Sequence, residues 1–140
     1  MEILNSQTIL DKLNSDTIAN EELILGLNAD NHHIIGLTFF KIIERKYCDE
    51  QIRLKLAQLG SLLKDRPFYG PYKYSHIAIS TLYLSENDDA IAKYQEILID
   101  MSEDDKYFVD NFIRGMKDGS NLPNGEKYFS TVELIPKVVV

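Results

Sequence analysis

The apolar positions along this chain recur with the 3.6-residue period of α-helices, broken by short polar turns. Ile9, Leu10 and Leu13 share one face of a helix predicted over 6–13, with Ser6 as its N-cap. A second helix over 16–27 carries Ile18, Leu23, Ile24 and Leu27, and Gly26 and Asn28 close it. Residues 31–47 form the most apolar segment, in which Ile34, Ile35, Leu37, Phe39, Phe40, Ile42 and Ile43 cover more than half the helix circumference. So wide a stripe implies neighbours on two sides. Asp49 caps a helix over 50–64 whose Ile52, Leu56, Leu59 and Leu63 repeat at helical spacing.

Residues 65–73 interrupt the pattern with Pro67, Gly70 and Pro71 and read as a loop rich in aromatic residues: Phe68, Tyr69 and Tyr72, followed by Tyr74. Helical spacing returns over 75–84 and again over 89–101, where Asn87 or Asp88 is the cap. Ser102, Glu103, Asp104 and Asp105 carry the signature of a capped helix start ahead of Tyr107, Phe108, Phe112, Ile113 and Met116. Beyond Lys117 the chain turns to Gly, Asn and Pro and then to β-branched residues, and Pro136 keeps that end from being a central strand. The expected organisation is a helical domain over 1–117 followed by a turn-rich, extended C-terminal tail over 118–140.

Two helix pairs echo one another. His33 and Ile34 correspond to His76 and Ile77 at an offset of 43, and the Asp49 and Asp88 segments correspond at an offset of 39. Helix pairs recurring every ~40–47 residues resemble HEAT and armadillo repeats. That resemblance, over roughly 16–117, implies an all-α fold: a short right-handed α-α superhelix of stacked helix pairs, with an irregular helical bundle as the alternative.

Composition narrows the function. The 140 residues are 44% hydrophobic and 26% charged, which describes an ordinary folded domain. The net charge of −7 argues against a general nucleic-acid binder, which needs a basic face. No apolar run approaches the ~20 residues of a membrane span. The N-terminal residues lack the basic and apolar regions of a signal peptide, and Cys48 is the single cysteine, so the expected setting is the cytoplasm.

Candidate chemistry is sparse. His33, His76 and Cys48 could meet if the repeats stacked, but helix-end and core roles explain them better than a metal site does. The acidic pairs Glu21/Glu22, Asp49/Glu50 and Asp88/Asp89 all fall at predicted helix starts, where carboxylates satisfy free N–H groups. No phosphate-binding glycine loop, zinc motif or nucleophile elbow occurs, so neither catalysis nor a cofactor is expected.

The distribution of charge is more telling than its sum. Residues 84–110 hold nine acids and two bases, whereas residues 1–83 hold ten acids and nine bases. Such a patch suits a basic protein partner. Glu86, Asp88, Asp89, Glu103, Asp104 and Asp105 would attract it, and Tyr69, Tyr72 and Tyr74 would anchor it. In type the chain is similar to small acidic bacterial immunity proteins, which implies an inhibitor that neutralises a basic toxin such as a nuclease. The rivals are a helical-repeat adaptor that binds a peptide and, less favoured, a metal-dependent all-α enzyme.

Overall fold

The computed structural model describes residues 5–61, 67–69 and 72–118. It is mostly helical, as expected. In chain order come α1 (Ser6–Asn14), a 3-10 turn (Asn20–Glu22), α2 (Leu23–Leu27), α3 (His32–Arg45) and α4 (Glu50–Gly60), then strands β1 (Pro67–Tyr69) and β2 (Tyr72–Lys73), then α5 (Tyr74–Leu84), α6 (Asp88–Ile99) and α7 (Glu103–Asp118). The extended tail expected over 118–140 lies outside the described residues, apart from Asp118 at the end of α7.

Helix starts follow the capping residues. Asn31 accepts from the His33 and Ile34 N–H groups, Asp49 from Ile52, Asn87 from Ala90, and Ser102 from Asp105. At α1 the cap is Asn5 rather than Ser6, its side chain accepting the Thr8 N–H at 2.8 Å. The helix expected over 16–27 is broken. Asp16 takes a left-handed backbone, φ 58°, and its carboxylate is held by Lys41 at 2.8 Å and Arg45 at 3.1 Å, both on α3. Helix resumes only at Asn20, where Glu22 accepts the Ala19 N–H through one oxygen and the Lys12 ammonium through the other.

The loop expected over 65–73 contains a small hairpin instead. β1 and β2 pair antiparallel, with Pro67 opposite Lys73 and Tyr69 opposite Tyr72. Glycine as the first of two residues between paired tyrosines is itself a hairpin signal, overshadowed in the sequence by the neighbouring prolines.

Packing centres on α5, all eleven residues of which are buried. α3, α4, α6 and α7 lie against it, while α1 packs on α3 and α2 packs on α3 and α4. The wide stripe of α3 thus meets α1 and α2 on one side and α5 on the other. Two glycines allow close approach. A Cβ on Gly60 would lie 2.7 Å from Ile79 Cγ1 on α5, and a Cβ on Gly26 would overlap Thr38 Oγ1 on α3. That hydroxyl already donates to Ile34 O at 2.7 Å, a bond that displacing it would strain. Gly26→Ala is therefore expected to cost about 1–3 kcal/mol of stability. In a Thr38→Ala background it should cost at least ~1 kcal/mol less, which chemical denaturation of the four chains of the double-mutant cycle would measure.

Candidate functional site

Of the two groups of residues expected to form the binding surface, the tyrosines are placed inside. Tyr72 meets the rings of Phe108 and Phe112 edge-on, at 6.2 and 5.1 Å. Tyr74 meets His32 at 4.6 Å and Phe39 at 6.3 Å. Both are buried, so neither reaches a partner in this arrangement. The side chain of Tyr69 lies outside the described residues.

The acids do not form one patch. α6 is twelve residues long, which at ~1.5 Å per residue separates its two ends by roughly 18 Å. Glu86, Asp88 and Asp89 stand at its start; Glu103, Asp104 and Asp105 follow its end. Part of the counter-charge that residues 84–110 lack comes from the preceding helices. Lys46 pairs with Glu86 at 3.5 Å, and Arg53 on α4 pairs with Asp89 at 3.7 Å. Within the segment itself Lys93 pairs with Glu96 and Lys106 with Glu103, and Arg114, one turn further along α7, pairs with Asp110. Asp88, Asp100 and Asp104 have no ion-pair partner among the described residues.

Asp105 does different work. His76, 1% exposed, places its imidazole against the first turn of α7. Its Nδ1 accepts the Lys73 backbone N–H at 3.0 Å, which assigns the ring proton to Nε2. Nε2 then donates to Asp105 Oδ1 at 2.7 Å, and Asp105 Oδ2 accepts the Ser102 hydroxyl at 2.8 Å. Phe108 stacks on the imidazole face, centroids 5.1 Å apart. Burial pushes the Asp105 carboxyl up, but the hydrogen bonds from His76 and Ser102 outweigh it and hold the group below its ordinary value. A histidine–aspartate pair invites comparison with a general base. Here the nitrogen that would take a substrate proton already accepts a backbone N–H, so the pair ties β2 and α5 to α7.

Cys48 is buried, and burial pushes its thiol up to about 11, which keeps it protonated and weakly nucleophilic at neutral pH. His33 lies on the exposed first turn of α3, apart from the His76–Asp105 pair. Among the described residues no three His, Cys, Asp or Glu side chains cluster as metal ligands, and no helix is long and apolar enough to cross a membrane.

The most distinctive surface lies where α6 turns into α7. Ile99 is 76% exposed and Tyr107 47% exposed, with Asp100, Glu103 and Asp104 exposed between them. Sequence reasoning passed over Ile99, although it falls off the buried stripe marked by Tyr94 and Met101. Tyr107, which follows the Ser102 cap in sequence with Phe108, Phe112, Ile113 and Met116, stands at the surface, whereas Phe112, Ile113 and Met116 are buried.

Asp105→Ala strands the buried imidazole N–H and is expected to cost about 1–3 kcal/mol at neutral pH. Because the folded carboxyl titrates below its unfolded value, its contribution is complete above the ordinary carboxylate range and vanishes as pH falls through the folded value. Urea titrations should show the gap between wild type and variant closing below about pH 4. Compared with known proteins, the chain matches no family, no curated sequence and no solved structure.

Proposed function

We propose that this chain is a non-enzymatic protein-binding module that acts in the cytoplasm as an acidic inhibitor of a basic protein, similar in type to bacterial toxin-immunity proteins. The observation that carries this reading is the α6–α7 corner. Two large apolar side chains, Ile99 and Tyr107, stand in solvent beside Asp100 and Asp104, which no described cation neutralises. Apolar anchors ringed by charge are the usual composition of an interface centre and its rim. The contact set we propose is therefore Ile99, Asp100, Glu103, Asp104 and Tyr107, with Asp88 and its neighbours Glu86 and Asp89 at the other end of α6 contributing longer-range attraction.

We further propose that the helices stack as a short α-solenoid of HEAT type. Support comes from equivalent turns lying side by side. Lys46, which ends α3, and Glu86, which follows α5, both take left-handed backbones and pair with each other. Arg53 near the start of α4 likewise reaches Asp89 at the start of α6. Each of α1 to α5 also packs on the helix two places further along the chain, as solenoid layers do.

The test is association with the products of the adjacent reading frames, since an inhibitor of this type is encoded beside its target. Asp100→Lys/Asp104→Lys is expected to slow association about tenfold or more at low salt, and raising salt should slow the wild type similarly. Glu50→Lys, an exposed acid on α4, should leave the rate within about twofold. Ile99→Ala and Tyr107→Ala should instead speed dissociation. Salt-insensitive binding would assign the chain to the peptide-binding adaptors, and no binding to either neighbouring product would remove the inhibitor assignment.

A further inference from the structure

The link between β2, α5 and α7 has an unusual polarity. A neutral imidazole keeps one ring nitrogen as an acceptor, and a second proton enters there. In His76 that nitrogen is not open: Nε2–H faces Asp105, and Nδ1 is occupied by the Lys73 N–H. A second proton can enter only at Nδ1, where it would point directly at the hydrogen of the Lys73 amide. The two cannot share that space.

We propose that His76 and Asp105 form an acid-operated latch, in which protonation of the imidazole at Nδ1 releases the Lys73 amide, and with it the β1–β2 hairpin, while the ring stays bound to Asp105. The proton comes from solvent and no bond other than hydrogen bonds changes. Protonation converts the Asp105 contact into an ion pair, so the ring is drawn towards α7 as the hairpin side lets go. The release has a defined consequence. Tyr72 adjoins Lys73, and its ring lies against Phe108 and Phe112, so departure of β2 uncovers an aromatic face on α7.

α7 presents Asp105, in direct contact, and β2 carries Lys73, whose charge acts electrostatically on Asp105. α3 presents His32, which meets Tyr74 at the start of α5. α6 presents the phenol of Tyr94, against Tyr83 at the far end of α5, and the residues that α4 buries are Ile52, Leu56, Leu59 and Gly60. Asp105 is thus the titratable group that touches the imidazole, and it retains its charge throughout the range in which histidine takes up a proton.

The test follows the 15N signals of the His76 ring and the exchange of the Lys73 amide in the full chain between about pH 8 and pH 5. The Lys73 amide is expected to lose about tenfold or more of its protection, relative to Ile79 in the middle of α5, in step with titration of the ring. His76→Asn keeps an acceptor oxygen near the position of Nδ1 and cannot take a proton, so Lys73 protection in that variant should not change with pH. Three results would overturn the latch: Lys73 staying protected while the ring gains its second proton, the ring gaining none before the whole chain unfolds, or the Asn variant showing the wild-type pH dependence. Should the variant not fold, the two wild-type signals decide between the same outcomes.

Discussion

The structure depends on one constraint: α5 is dry on every side. A helix buried along its whole length has no solvent face on which to leave polar groups, so each must be satisfied from within. Ser80 and Thr81 donate back to the carbonyls of His76 and Ile77, and Ser85 donates to Leu82, so these hydroxyls need no partner outside the helix. Gly60 lets α4 come close enough to cover Ile79. His76 reaches outward through both ring nitrogens, to β2 and to α7. The remaining helices are arranged around these requirements.

Burial of α5 also explains which side chains became structural. Tyr72 and Tyr74 flank the start of α5 and are drawn into the seams between it, α3 and α7. Asp105 is drawn to the imidazole. Among the exposed acids, Asp88 stands at the start of α6 and Asp100 and Asp104 at the α6–α7 corner. Stability and the proposed binding role thus divide the acidic residues between them. Carboxylates that cap helices or meet His76 hold the fold, Glu86, Asp89 and Glu103 are shared with Lys46, Arg53 and Lys106, and Asp88, Asp100 and Asp104 have no ion-pair partner among the described residues.

Much of this was legible in the sequence because it is local. The caps Asn31, Asp49, Asn87 and Ser102 act within three residues, and the two-sided stripe of α3 is a matter of spacing alone. What was not legible acts over distance. The break before α2 is set by Lys41 and Arg45 gripping Asp16 from 25 and 29 residues away. The apparent lack of counter-charge in residues 84–110 is met in part by Lys46 and Arg53, which no window on that segment contains. Whether an aromatic residue beside a turn faces in or out depends on the element that arrives to cover it, so Tyr72, expected to anchor a partner, is buried instead. The inward-facing His76 gave no local sign of its partner, which follows 29 residues later.

Native-state hydrogen exchange tests the central role of α5 most directly. If the other helices are assembled on it, the amides of Ile77 to Leu82 will be the slowest in the chain and will exchange only through global unfolding, with α1 and α2 opening first at lower free energy. Amides of α5 that exchange as fast as those of α1, or through a local opening that leaves the other helices protected, would contradict it.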